Sequence, residues 1–318
     1  MKGTIITFLK FFLIPFYLLQ YGLIWIRTPL DDDEWCFVCD RHLGDNYRLL
    51  VFLGDFAKKM RTKKLSVIIR KEYSSIPKMF PYISKIIALR NTPNMFITGF
   101  VSAYIEVLPS RPILVHLKRP ILYQTLPRNG YIYNNALDTY KSYIGLNSLA
   151  MPARPVIKIK SRRNAKRKFY KLGLKAGKTV VIFPNANTHV IRNDDFWRNI
   201  SAVLKSHGFS IISNSKRGEK IISGIDYVDL EVDELLPFVE LAGYMISIRS
   251  GICDLLASSD ATKFILYPDI KSHAFDTITA YGYNSGKLEE LIITVDNSNR
   301  ISNMITDKII RQANLSIR

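Results

Sequence analysis

The residues of this chain best suited to handle an anion are Arg249, Ser250 and Gly251. They follow the apolar run Met245 to Ile248 and precede Ile252 to Ser258, which has the spacing of a short helix. A strand that turns tightly into a helix leaves backbone N–H groups and the positive end of the helix dipole free for negative charge. Gly251 permits close backbone approach, Ser250 can donate or accept, and Arg249 can fork onto a phosphate or carboxylate. The same turn also reads as an ordinary strand-to-helix connection with a solvated arginine. Asp254, one turn into the helix, is placed to orient Arg249 or to cap locally.

Cys36 and Cys39 form a C-x-x-C, but a structural zinc site needs four ligands and a second pair is missing. WCFVC reads better as a buried strand in which cysteine is a small hydrophobe. Three cysteines, one of them unpaired, fit a reducing compartment. Asp31-Asp32-Asp33 is a formal match to a metal-bearing acidic pair. It stands ahead of the first strand beside an apolar segment and reads as punctuation, so no metal is expected.

These groups need elements to hold them. The chain has 318 residues, enough for two domains, and is 47% hydrophobic, so it can build cores. Lys and Arg number 45 against 27 Asp and Glu, a net charge of +18 that calls for an anionic partner. Residues 1–30 are strongly apolar, interrupted by Lys10, Pro15 and Gln20, with no acid until Asp31. A helix from Phe11 to Ile26 would be about 24 Å long, short of a hydrocarbon core of about 30 Å. Counted from Ile5, with Lys10 snorkelling, the segment is just long enough to span; residues 5–26 better suit a membrane-embedded or interfacial anchor, with a hydrophobic helix packed on the protein as the remaining alternative, and Tyr21 and Trp25 suit an interface. The basic body would then lie against anionic cytoplasmic lipids.

From Trp35 the order is strand, glycine-containing loop, helix (Tyr47 to Met60), strand (Leu65 to Ile69), short helix (Tyr73 to Phe80) and strand (Lys85 to Leu89). A further helix (Phe96 to Val107), a strand (Ile113 to His116) and a helix (Asn134 to Ile144) follow. This alternation predicts a parallel, doubly wound sheet. Residues 154–178 hold eleven Lys or Arg and no acid, read as a basic linker and helix that is solvated or faces a membrane. They lack the aromatic interleaving that nucleic acid wants, so no nucleic acid is expected. The alternation then resumes with strands Thr179 to Phe183 and Phe209 to Ile212, helices Phe196 to His207 and Leu235 to Ala242, the opening strand and turn, the strand Phe264 to Tyr267, and a last helix near Ser302 to Gln312. The expected division is an apolar segment 1–30, domains 31–150 and 179–285 as two Rossmann-like α/β units facing a cleft, a basic linker and helix 151–178 between them, and a helical tail at 286–318.

The arrangement resembles the GT-B glycosyltransferases, above all the heptosyltransferase type of glycosyltransferase family nine. The likeness rests on the first strand followed by HLGDN (Leu43, Gly44, Asp45, Asn46), on KLGLKAGKTVVIFPNA, and on LLPFVELAGYMISIRSGICDLLASSDATKFILYPD. It covers Trp35 to Asp269. It implies transfer of a sugar from a nucleotide-sugar donor to a lipid-linked saccharide, in lipopolysaccharide, O-antigen or capsule assembly at the cytoplasmic face of a bacterial inner membrane. It implies an inverting, metal-independent enzyme, or alternatively a non-catalytic membrane-bound binding subunit of the same fold. Asp45 is then the acceptor's base, with His116 as second candidate, although Asp45 equally suits the start of a helix. Asn185, Asn187, Thr188 and Arg192 would meet phosphates or sugar hydroxyls, Arg192 in place of the family's lysine; asparagine is also common in turns. Ser213 and Asn214 would touch ribose or base. The family's Asp-Thr/Ser-Gly-x-x-His turn stands here as Arg249-Ser250-Gly251-Ile252-Cys253-Asp254. An arginine replaces the acid and an aspartate the histidine, which predicts a different donor contact, with Asp254 holding Arg249.

Overall fold

The computed structural model describes residues 34–39, 42–89, 135–186, 194–215, 222–268, 276–283 and 285–315. The apolar segment 1–30, Asp31 to Asp33, and the helix and strand expected between Phe96 and His116 lie outside them. The chain divides into two compact units. One is Met1–Tyr131 with Tyr143–Ala150; the other is Ile132–Ser142 with Met151–Arg318.

The first unit has a parallel sheet in the order β1 (Glu34–Cys39), β2 (Lys64–Arg70), β3 (Lys85–Leu89). Strand β2 reads as a mostly apolar run, interrupted only by Ser66, because it is central and buried from Leu65 to Ile69. Alternation along β1 puts Trp35 and Phe37 on one side, and both meet the Phe56 ring edge-on at 5.1 Å. Cys36 and Cys39, three residues apart, therefore point to opposite faces and cannot share a metal or a disulfide. Neither is in a disulfide among the described residues, and both are buried. Burial, with Glu34 nearby, pushes the Cys36 thiol up to about 12.

Between β1 and β2 the single helix expected from Tyr47 is two, α1 (Leu43–Leu50) and α2 (Leu53–Met60). The break is held from a distance. The Tyr82 hydroxyl donates to the Leu50 carbonyl at 2.7 Å, and its ring lies 2.8 Å from where a Cβ on Gly54 would sit. The helix expected over Tyr73 to Phe80 is instead two 3-10 turns, Lys71–Tyr73 and Pro77–Met79, since Pro77 cannot donate within a helix.

The second unit is a six-stranded, fully parallel sheet. Its strands are β4 (Thr179–Phe183), β5 (Ser210–Asn214), β6 (Asp226–Val228), β7 (Gly243–Ile248), β8 (Thr262–Tyr267) and β9 (Leu288–Ile292). Their spatial order, β6-β5-β4-β7-β8-β9, is the Rossmann order 3-2-1-4-5-6. Helices α5 (Asp194–Ser206) and α8 (Ser298–Leu315) close one hydrophobic core: Trp197, Ile200, Leu204, Ile305 and Ile309 pack with Val180, Ile182, Ile246 and Phe264. Helix α6 (Val232–Ala242) contacts β4 and β7, and α4 (Ile159–Lys171) packs on α6. Helix α3 (Ala136–Tyr143) clusters largely with this unit.

Two expected segments sit differently. The basic helix expected within 154–178 is present as α4, but it packs on α6 rather than serving as a linker. Ser161, Ala165 and Phe169 form a buried stripe; Phe169 meets Phe238 edge-on at 5.2 Å, and Ser161 donates to Asp233 at 2.6 Å. Lys168 pairs with Glu234 at 2.6 Å. Residues 286–318 are not a tail: β9 completes the sheet, and α8 puts Ile301, Ile305 and Ile309 into its core. Among the described residues no helix is long and apolar enough to cross a membrane.

Candidate functional site

In a sheet of this order the winding reverses between β4 and β7, and ligands bind beyond the carboxyl ends of the strands at that reversal. The expected donor residues follow those ends. Asn185 is exposed just after β4, beyond Pro184. Ser213 and Asn214 close β5, next to β4. Arg249, Ser250 and Gly251 follow β7, the neighbour of β4 on its other side. The fold thus gathers Asn185, Ser213, Asn214, Arg249, Ser250, Gly251 and Asp254 along one edge of one sheet. Asn187, Thr188 and Arg192 lie outside the described residues.

The turn after β7 is built from both sides. Arg249 N–H donates to the Leu266 carbonyl at 2.9 Å, prolonging the pairing with β8. Ser250 is extended (φ −152°, ψ 174°), and α7 (Gly251–Leu256) begins beyond it. The hydroxyl of Ser250 does not cap α7; its neighbour is the Cys253 thiol at 4.0 Å. Ser250 and Gly251 are half-buried. Cys253 is buried, its thiol raised by desolvation and bonded to the Ser247 hydroxyl at 3.2 Å, so it is a packing group.

Arg249 is not a loose cation. Its side chain is 5% exposed and that of Asp254 1%. Nη1 and Nη2 each donate to one Asp254 carboxylate oxygen at 2.9 Å, a fork-on-fork pair. Nη1 also donates to the Ser250 carbonyl, and Nε to the Asp276 carbonyl at 2.8 Å. The expectation that Asp254 holds Arg249 is met. The expectation that Arg249 forks onto a phosphate meets a different arrangement, because its guanidinium is committed to the protein.

A second layer extends this brace. Tyr281 donates its hydroxyl to Asp254 Oδ1 at 3.1 Å, and the single Tyr267 hydroxyl proton is shared between the Asp276 carbonyl at 3.1 Å and Glu290 Oε1. Glu290 on β9 accepts from Tyr267 and Thr279 hydroxyls and from the N–H groups of Ile278 (2.7 Å) and Thr279 (3.1 Å). Burial, with Glu290 alongside, raises the Tyr267 hydroxyl far above the ordinary range, so it stays a donor. Sequence reasoning missed Tyr267, Asp276, Tyr281 and Glu290. Only Tyr267, a hydroxyl ending the apolar run FILY, left any trace.

On the β5 side, the Ser213 and Ser215 hydroxyls bond each other at 3.2 Å. The amide oxygen of Asn214 is buried with no hydrogen-bond partner among the described residues. A buried acceptor left unpaired costs about 1–3 kcal/mol, so it is a ready contact for a ligand N–H or O–H. In the first unit Asp45 lies not in a loop but in the first turn of α1, its side chain 13% exposed and 4.0 Å from the Arg48 guanidinium. The N-cap is His42, not Asp45. His116 lies outside the described residues. Among the described residues no cluster of His, Cys, Asp or Glu could hold a metal.

No protein-family model and no curated protein sequence matches the chain. Solved structures do match in shape. A glycosyl transferase family 9 protein from Veillonella parvula superposes over 91% of this chain and 98% of its own, at 14% identity and a TM-score of 0.61. E. coli ADP-heptose LPS heptosyltransferase II matches 88% of this chain and 99% of its own, at 9% identity and a TM-score of 0.61. E. coli heptosyltransferase WaaC with ADP-2-deoxy-2-fluoro heptose matches 86% and 99%, at 12% identity and a TM-score of 0.52. The chain therefore has the α/β fold with parallel sheets of the GT-B heptosyltransferases. Its structural neighbours are glycosyltransferase family 9 proteins and heptosyltransferases, as the sequence motifs led one to expect.

Proposed function

We propose that this protein is a glycosyltransferase that moves a sugar from a nucleotide-sugar donor to a lipid-linked saccharide of the bacterial surface. The observation that carries this reading is the polar edge at the winding reversal of the second unit, in a fold shared with a structure described as holding an ADP-sugar. The donor diphosphate lies against Ser250, Gly251 and Asn185, with Asn187 and Arg192 as further contacts. Ser213 and Asn214 meet ribose or base. Arg249 and Asp254 act behind the turn as positioning residues, fixing the N–H groups that stabilise charge growing on the leaving diphosphate. Asp45 takes the proton of the acceptor hydroxyl, with His116 as the alternative base. The acceptor oxygen attacks the anomeric carbon from the face opposite the diphosphate. The new C–O bond forms as the bond to the diphosphate breaks, which inverts the centre with no metal needed. Residues 5–26 hold the enzyme at the cytoplasmic face of the inner membrane.

A thermal-shift screen over nucleoside diphosphates and their sugars, followed by transfer assays on the positive donor, tests the reading. At least one nucleotide raises the melting temperature, and Asp45→Asn lowers kcat by about 10²–10⁴ without moving donor affinity. A donor that binds but is never transferred would indicate the non-catalytic binding subunit. No shift with any nucleotide would overturn both.

A further inference from the structure

The basic stretch 154–178, eleven Lys or Arg with no acid, is centred on α4. Its inner side is settled, with Ser161, Ala165 and Phe169 buried and Lys168 and Arg162 matched to Glu234 and Glu240. At about 3.6 residues per turn, the opposite side presents Ile159, Lys160, Arg163, Arg167, Tyr170 and Lys171. All six are exposed. Lys160, Arg163 and Lys171 have no ion pair among the described residues, and Arg167 reaches only the Asn164 amide oxygen at 3.5 Å. Ile159 is 69% exposed, Tyr170 51% and neighbouring Val156 59%. A merely solvated basic face gains nothing from aliphatic side chains held in water. A nucleic-acid groove wants flat rings for bases to stack on, and Ile159 and Val156 offer none. A lipid surface uses both kinds at once. Cations meet headgroup phosphates, the aliphatic groups enter the acyl boundary, and tyrosine sits between.

We propose that the outer face of α4 docks on an anionic bilayer, with Lys160, Arg163, Arg167 and Lys171 at the headgroups and Ile159 and Tyr170 entering the interface. This contact is separate from any membrane segment in residues 5–26. It is also separable from the transferase reading, since it is measured with no sugar donor present.

The full chain carrying Tyr170→Cys offers one accessible thiol, because Cys36, Cys39 and Cys253 are buried. That thiol is labelled with a polarity-sensitive fluorophore and titrated with phosphatidylcholine vesicles containing increasing phosphatidylglycerol. The expected result is a blue shift that grows with phosphatidylglycerol and recedes with salt. A label at Val295→Cys, 89% exposed on the same unit, stays unshifted. Adding Lys160→Gln, Arg163→Gln, Arg167→Gln and Lys171→Gln weakens the shift's vesicle dependence by about tenfold or more. Three outcomes would overturn the proposal. The chain sediments with vesicles while position 170 stays in water, which leaves residues 5–26 as sole anchor. The shift is equal on pure phosphatidylcholine. Or duplex DNA or single-stranded RNA displaces the vesicles at matched salt.

Discussion

Replacing Asp254 with alanine leaves the Arg249 guanidinium charged, 5% exposed and without its carboxylate. Two charge-assisted hydrogen bonds of 2.9 Å are lost, and Tyr281 loses its acceptor. Removing one partner of a buried ion pair costs about 3–5 kcal/mol, most of it the burden of the charge left behind. With a urea slope of about 2 kcal/mol per molar, the unfolding midpoint falls by roughly 2 M. Trp197 is the only tryptophan of the second unit, so fluorescence with Trp25 and Trp35 changed to phenylalanine follows that unit alone. Changing both partners, Arg249→Met with Asp254→Leu, removes the two charges together and should cost less than Asp254→Ala by itself. The double variant also separates stability from function. It should fold yet bind the proposed nucleotide donor more weakly, because the Arg249 guanidinium no longer ties the turn to the Asp276 carbonyl. A loss under about 1 kcal/mol for Asp254→Ala, or a double variant worse than the single, would refute the assignment of this pair as the brace of the turn.

Two further perturbations probe the frame around it. Gly243 joins α6 to β7 at φ +93°, and a Cβ there would stand 3.0 Å from Gly177 Cα. Gly243→Ala should cost about 1–2 kcal/mol from the left-handed backbone alone, lowering the melting temperature by several degrees; an unchanged melting temperature would sink the argument. Lys263 is fully buried in β8, donating to the Ala261 carbonyl at 3.0 Å, and desolvation lowers its ammonium to about 8 from the ordinary 10.5. Between those values the unfolded chain binds the extra proton, so stability rises with pH across that window, and below about 8 the cost is fully present. Relative to Lys263→Met, the wild type should gain about 2 kcal/mol from pH 7 to about 9.5 in denaturant melts. The comparison cancels the shared tyrosines and cysteines, and parallel curves would contradict it.

The central strands were readable because both their faces are covered. TVVIF, YMISI and KFILY are near-continuous apolar runs, the mark of a buried parallel sheet. The edge strands were not. DYV in β6 is three residues long, and LEELI in β9 carries Glu289 and Glu290, polar because an edge is partly solvated. Those acids act locally: Glu289 pairs with Lys308 at 2.6 Å, and Glu290 holds the segment 278–279. Helix α4 hid its inward stripe because Ser161 and Ala165 are small and one large apolar residue, Phe169, carries the contact. The split between α1 and α2 depends on Tyr82, some thirty residues away, and no local pattern announces it. At the site, position was legible while partnership was only half so. The strand, the turn at Arg249 to Gly251 and the short helix are all visible as a pattern, and Asp254 stands one turn on, within reach of Arg249. The commitment of that guanidinium also needs Asp276, which arrives from a segment beyond β8.

The way the chain is shared between its two units has a consequence for cutting it apart. Residues up to Tyr131 belong to the first unit, Ile132–Ser142 to the second, Tyr143–Ala150 to the first again, and the remainder to the second. No single peptide bond can then be cleaved to yield both units whole. A cut before Ile132 deprives the first of its return segment, and a cut after Ala150 strips the second of α3. On the ribosome the first unit likewise waits for residue 150 before it holds all its parts, by which time α3 has already emerged with nothing of its own unit to pack against.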